Sequence, residues 1–110
     1  MELQTREYKR VTVIRVIGRV DANVAPKFEE ALRQAVEGNH AYLVLEMDST
    51  DYISSAGVRA MISAQKALKA KGGAVLLAQP SDRVKEVLDI AGLDALFQVY
   101  PSTEAAIGSV

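Results

Sequence analysis

Two adjacent serines, Ser54 and Ser55, are the residues of this sequence best placed for chemistry. They follow the apolar pair Tyr52-Ile53, precede Ala56-Gly57, and stand where a helix is predicted to begin. A serine at a helix start accepts a hydrogen bond from a free amide of the first turn. The same end of a helix favours negative charge, because its free amides and the positive end of its dipole face outward. A serine here therefore serves either as an N-cap alone or as a cap that also accepts a phosphoryl group.

Nucleophilic catalysis by these serines would need a neighbouring histidine. The only histidine, His40, precedes a strand predicted at Tyr42–Leu45, whereas Ser55 lies beyond the far end of that strand. A strand of about five residues places the two side chains roughly 16 Å or more apart. We therefore interpret His40 as a solvated loop residue and expect no catalytic residue.

Metal and nucleotide chemistry lack their usual residue patterns. The sequence contains no cysteine and a single histidine, which leaves no set of transition-metal ligands. Asp48 and Asp51 follow a strand, as in a phospho-aspartate receiver, but that chemistry needs an acidic pair after the first strand, where only Asp21 is found. Gly72-Gly73 follows a helix and precedes a strand, which indicates a helix C-cap and not a phosphate loop. We expect no cofactor and no metal.

The elements that position these residues are read from the apolar pattern. Val24, Phe28, Leu32 and Val36 recur every four residues and predict a helix that ends at Gly38. Further helices are predicted from Ser55 to Lys71, from Ser81 as N-cap to Gly92, and from Ser102 onward. β-Branched or continuous apolar runs predict a hairpin and later strands, at Leu3–Tyr8, Val11–Ile17, Tyr42–Leu45, Ala74–Ala78 and Phe97–Tyr100.

This alternation of strands and helices predicts an α/β fold. We expect one domain over residues 1–110, with a mixed, mostly parallel sheet of four to five strands and helices mainly on one face. Functional loops of such sheets follow the carboxyl ends of the strands, here Gly18–Asp21 and Met47–Gly57. The predicted core consists of Phe28, Leu32, Val44, Leu45, Ile62, Leu68, Leu76, Leu77 and Leu88.

Composition narrows the possible partners and location. Thirteen basic and fourteen acidic residues give a net charge of -1, so nucleic acid is not an expected partner. The first residues lack the apolar core of a signal peptide, and no apolar run approaches the ~18 residues of a membrane span. We expect a cytoplasmic protein without a membrane partner.

Several segments together resemble the STAS domain of bacterial anti-sigma factor antagonists. Tyr52-Ile53-Ser54-Ser55-Ala56-Gly57-Val58 is similar to the phosphorylation motif of that family, and Gly18-Arg19-Val20-Asp21 is similar to its turn before the first helix. Lys71–Leu77 resembles the Gly-Gly entry to the next strand, and Pro80–Leu93 resembles the segment that follows. The resemblance covers nearly the whole chain in the same order.

The resemblance implies a protein that is not an enzyme but a partner switch. The unphosphorylated form would bind an anti-sigma factor that is itself a serine kinase and thereby release a sigma factor for transcription. Phosphorylation of Ser55 by this kinase would end binding, and a phosphatase would reset the switch. Ser54, Ala56 and Gly57 would belong to the partner-binding loop, together with the carboxylates Asp21 and Asp51, while Asp48 could extend the acidic rim.

Two departures from the family pattern concern the loop itself. Ser54 stands where many relatives carry aspartate, and Ala56 stands where many carry a second serine. The alternative hypothesis is a STAS-like interaction or scaffold module in which Ser55 only caps a helix and is never modified. A phosphorylation assay distinguishes the two hypotheses, because only the switch gains a phosphoryl group.

Overall fold

A six-stranded sheet and four helices make up the structure, a computed structural model that describes residues Met1–Val110. The strands are β1 (Glu2–Tyr8), β2 (Val11–Val20), β3 (Tyr42–Glu46), β4 (Thr50–Ile53), β5 (Ala74–Ala78) and β6 (Gln98–Tyr100). The helices are α1 (Ala25–Glu37), α2 (Ser55–Ala70), α3 (Asp82–Ile90) and α4 (Thr103–Gly108). None of the four helices combines the length and the apolar character that a membrane span requires.

The sheet is mixed and mostly parallel, which confirms the predicted α/β class. Its strands lie in the order β1-β2-β3-β5-β6, with only the β1–β2 hairpin antiparallel. The sheet has six strands instead of the four to five predicted, because β4 lies inside the segment expected to be a loop. β4 pairs in parallel with the carboxyl-terminal end of β2, next to the part of β2 that pairs with β3.

The two faces of the sheet carry cores of different size. Successive strand residues point to opposite faces, so Leu43 and Leu45 join the large cluster under α1, α2 and α3, whereas Val44 joins a small cluster covered by α4. Helices therefore lie mainly on one face, as predicted. Eight of the nine predicted core residues are buried, and the ninth, Ile62, is half-buried and packs against the large cluster.

The helix end signals predicted at Ser81 and at Gly72-Gly73 agree with the structure. Ser81 caps α3, because its Oγ accepts a hydrogen bond from the Val84 amide at 3.2 Å. α2 is followed by Gly72, whose φ of +82° favours glycine, and the Gly73 amide donates to the Leu68 carbonyl at 2.8 Å. A Cβ on Gly73 would lie 1.6 Å from the Ala41 carbonyl oxygen, so only glycine allows this approach.

One buried carboxylate joins three elements on the α4 face. Both oxygens of Glu46 on β3 accept hydrogen bonds from the Arg6 guanidinium of β1, at 3.0 and 2.9 Å. The Thr103 hydroxyl at the start of α4 donates to the same carboxylate. The hydrogen bonds from Arg6 lower the pKa of Glu46 most, burial opposes them, and the Thr103 hydroxyl lowers the pKa further. The ion pair therefore favours the charged form of a nearly buried carboxylate.

Candidate functional site

The site is formed where β2 and β4 end side by side. Val20 and Ile53 are paired at the last position of the two strands, and the Ser54 amide donates to the Val20 carbonyl at 2.8 Å. Asp21 follows β2, and Ser54-Ser55 follow β4. The two loops predicted from the sequence to be functional are thus neighbours at one edge of the sheet, as the rule for parallel strands requires.

Ser54 and not Ser55 caps α2. The Ser54 Oγ accepts a hydrogen bond from the Gly57 amide at 3.2 Å, and the residue is only 8% exposed. Ser55 is the first helical residue, is exposed, and makes no side-chain hydrogen bond within the chain. The expectation that Ser55 is the cap is wrong by one residue, because Ser54 keeps the extended backbone from which a cap oxygen reaches the first turn.

Gly57 allows α2 to pack directly on the ends of the two strands. A Cβ at this position would lie 2.9 Å from Ile53 Cγ1 and 3.0 Å from Val20 Cγ1, closer than side chains normally approach. The neighbouring Ala56 is half-buried. The small residues of the motif thus hold the helix start against the sheet and leave Ser55 on the outside.

The nearby carboxylates differ in their partners. Asp21 is half-buried, and its Oδ1 accepts hydrogen bonds from the amides of Asn23 and Val24 at 3.0 and 3.1 Å, which stabilises the turn before α1. Asp48 forms an ion pair with Arg15 at 3.4 Å. Asp51 is exposed on β4 and has no ion pair. Of the three carboxylates expected at the rim, only Asp51 therefore has neither an ion pair nor a side-chain hydrogen bond.

A cation-π contact that the sequence did not predict lies on the strands leading to the site. The Arg19 guanidinium carbon is 4.5 Å from the centroid of the Tyr52 ring. Arg19 and Tyr52 are opposite each other in the β2–β4 pair, so the contact depends on a strand that was expected to be a loop. The sequence alone does not predict that these two residues are neighbours, because they are far apart in the chain and only strand pairing brings them together.

His40, the only histidine, lies away from this site. His40 is not the solvated loop residue that we expected, because its ring Nδ1 lies 3.1 Å from the Thr12 Oγ1 and its side chain is 19% exposed. It precedes β3, at the opposite end of the sheet from Ser55. No group of three or more histidine, cysteine, aspartate or glutamate residues is arranged to hold a metal ion. The site therefore presents one exposed hydroxyl at a helix N-terminus, where added negative charge is favoured.

Comparison with known proteins places this arrangement in a family. The family model of the STAS domain matches residues 2–106, and the chain belongs to this family. An anti-sigma-B factor antagonist of Listeria monocytogenes is 31% identical over 103 residues, which cover 90% of this chain and 86% of the relative. BtrV of Bordetella bronchiseptica, whose name assigns it provisionally to the anti-sigma factor antagonists, is 35% identical over 81% of this chain and 77% of its own length.

Solved structures show the same fold. The anti-sigma factor antagonist SpoIIAA in its unphosphorylated form superimposes with a TM-score of 0.85 at 23% identity, covering 98% of this chain and 95% of SpoIIAA. The phosphorylated form of the Bacillus SpoIIAA gives a TM-score of 0.77 at 21% identity, with 98% of both chains covered. The family resemblance seen in the sequence is confirmed.

Proposed function

We propose that this protein is an anti-sigma factor antagonist whose binding to its partner is controlled by phosphorylation of Ser55. The observation that carries the proposal is the division of tasks between the two serines. Ser54 is buried and caps the helix, whereas the Ser55 hydroxyl is exposed and has no partner within the chain. A kinase can therefore reach Ser55 without opening the fold.

Curated relatives support the choice of function. The Listeria relative is named as an antagonist of the anti-sigma-B factor, and SpoIIAA is described both with and without phosphate. By analogy, the partner of this protein is an anti-sigma factor. The family resemblance further implies that this factor has serine kinase activity and that a phosphatase removes the phosphoryl group. The protein itself supplies a hydroxyl and a binding surface and catalyses nothing.

The electrostatics of the site support an off switch. A phosphoryl group adds about -1.5 to -2 charges at neutral pH. Asp51, four residues before Ser55 in the chain, is exposed on β4 and has no ion pair. A partner that covers the loop of the unmodified protein would have to remove water from this added charge, and that desolvation weakens binding. Beneath the exposed Ser55, the loop is formed by residues that are buried or half-buried, namely Asp21, Ser54, Ala56 and Gly57.

The direct test is a phosphorylation assay with the kinase of the same switch. The protein, Ser54→Ala and Ser55→Ala are each incubated with the anti-sigma factor and ATP, and their intact masses are measured. We expect one phosphoryl group on the first two and none on Ser55→Ala. Ser63→Ala is the matched control, since Ser63 is another exposed serine of α2.

The same assay addresses the scaffold alternative. In that hypothesis Ser55 only caps the helix, a task that the structure gives to Ser54. A wild-type protein that gains no mass with an active kinase would favour the scaffold. Modification of Ser55→Ala together with loss of modification in Ser54→Ala would show that the acceptor is Ser54.

A further inference from the structure

The charged residues of α2 all have the same sign. The helix carries Arg59, Lys66 and Lys69, all exposed, and no aspartate or glutamate. Arginines on the other long helices are neutralised: Arg33 of α1 forms ion pairs with Glu30 and Glu37, and Arg83 of α3 forms one with Glu86. Arg59 has neither an ion pair nor a side-chain hydrogen bond, so its charge has no anionic partner in the unmodified chain.

Arg59 is placed to reach Ser55. The two residues are four apart on one helix and both are exposed, so they are neighbours on the same face. Side chains on a helix lean toward its N-terminus, which directs the Arg59 side chain back over the turn that begins with Ser55. An anion at position i and an arginine at i+4 is the favourable orientation of such a pair.

The other two guanidinium groups near this edge have contacts of their own, an aromatic ring for Arg19 and an anionic partner for Arg15. Arg19 stacks on the Tyr52 ring at 4.5 Å, and Arg15 donates to the Ser49 hydroxyl at 2.9 Å and pairs with Asp48. Lys66 lies about three turns from Ser55 along α2, too far for direct contact. Arg59 is thus the cation of this helix that a phosphate on Ser55 would meet first.

We propose that Arg59 binds the phosphate of phosphorylated Ser55 and so forms an internal phosphate-binding site in the modified protein. This inference rests on the proposed function, since it concerns the state in which Ser55 carries a phosphoryl group. A guanidinium offers paired N–H donors that match the oxygens of a phosphate, and such charge-assisted hydrogen bonds are strong. The pair ties the phosphate to the helix and stabilises the dianionic form.

Pairing of Arg59 with the phosphate would also change the surface that the partner contacts. In the unmodified protein, Arg59 is an exposed, solvated cation beside Ser55 that an acidic partner surface can contact. After phosphorylation, the guanidinium is occupied by the phosphate, so the partner loses a cation and meets an anion at the same place. Arg59 would therefore enlarge the difference between the two states while stabilising the modified one.

The test uses the full-length protein with phosphoserine incorporated at position 55 during synthesis, which makes it independent of any kinase. The pKa of the phosphate is measured by phosphorus NMR in the wild-type background and in Arg59→Gln, Arg59→Lys and Lys66→Gln. We expect the phosphate pKa in Arg59→Gln to rise by about 0.3 pH units or more. Arg59→Lys should give a smaller rise, because lysine keeps the charge but loses the paired donors, and Lys66→Gln should match wild type.

A second readout is the change in melting temperature that phosphoserine causes. Phosphoserine should raise the melting temperature less, or lower it more, in Arg59→Gln than in wild type. Circular dichroism of the unmodified variants checks that each is folded. An equal phosphate pKa in wild type and Arg59→Gln would overturn the proposal, as would an equal rise in Lys66→Gln. Neither result bears on whether a kinase modifies Ser55, so failure of this inference is distinguishable from failure of the proposed function.

Discussion

Ser54 and Ser55 are adjacent serines whose hydroxyl groups lie in different environments. The Ser54 oxygen is buried and bonded to the Gly57 amide, whereas the Ser55 oxygen is exposed and unbonded within the chain. A phosphoryl group on Ser54 would be attached to the buried oxygen that caps the helix. It would therefore disturb the hydrogen bond from the Gly57 amide. A phosphoryl group on Ser55 adds charge to the outside of the same turn without breaking a hydrogen bond.

The first prediction concerns the stability of serine variants. Ser54→Ala should lower the free energy of unfolding by about 0.5–2 kcal/mol, because it removes the cap. Ser55→Ala should change it by no more than about 0.5 kcal/mol, since the exposed hydroxyl has no partner. Urea unfolding of both variants measures these values. A larger loss of stability in Ser55→Ala than in Ser54→Ala would show that Ser55, and not Ser54, caps the helix.

The second prediction concerns Gly57. Gly57→Ala would normally favour a helix, but here the new methyl group meets Ile53 Cγ1 at 2.9 Å and Val20 Cγ1 at 3.0 Å. We expect the variant to lose about 1–3 kcal/mol of unfolding free energy, the usual effect of overpacking. Gly108→Ala on α4 is the control, because a Cβ there meets nothing within 4 Å. Equal stability of the two variants would argue against the close packing of α2 on the strand ends.

At the scale of the element, α4 and β1 are linked through Glu46. Arg6 of β1 reaches across β2 to Glu46 on β3, and Thr103 of α4 donates to the same carboxylate. This hydrogen-bonded group secures the smaller core, to which α4 contributes Ala106. The short C-terminal helix is therefore fixed by a polar contact as well as by apolar packing.

The third prediction is a pH dependence of stability that comes from Glu46. The pKa of its carboxyl is lower in the folded protein than in the unfolded chain, chiefly through the hydrogen bonds from Arg6. Its contribution is therefore present above the ordinary glutamate pKa of 4.5 and is lost as the pH falls through the lower folded value. We expect Glu46→Gln to cost about 1 kcal/mol at neutral pH, because Arg6 is half-exposed, and less in acid.

Urea unfolding at about pH 7 and about pH 3.5 measures this difference. Glu29→Gln is the control, since Glu29 is exposed on α1 and has no ion pair. If Glu46→Gln loses as much stability at the lower pH as at neutral pH, ionisation of Glu46 is not the source of the effect.

The elements differ in how far the sequence predicts them. α1 and α3 have a regular apolar spacing and clear end signals at Gly38 and Ser81, and both were predicted correctly. β4 was missed because Thr50–Ile53 is short and contains the charged Asp51, so its strand character arises from pairing with the distant end of β2. The cap was assigned one residue too late because two serines in succession give the same signal, and only the backbone conformation separates them.

At the scale of the whole molecule, the sheet brings distant segments to a single edge. β2 and β4 end side by side, so the turn at Asp21 and the start of α2 form one surface, with Ser55 exposed on it. The order of strands and helices alone predicts that both loops lie at this edge. The Arg19–Tyr52 contact and the unpaired Arg59 emerge only from the assembled fold.

We expect phosphorylation of Ser55 to end the binding of an anti-sigma factor. The most direct measurement compares the affinity of that factor for the unmodified protein and for full-length protein carrying phosphoserine at position 55, by titration calorimetry at one salt concentration. We predict that the modified protein binds at least about tenfold more weakly, because the added charge must be desolvated at the interface. Equal affinity of the two forms would show that phosphorylation of Ser55 does not control binding.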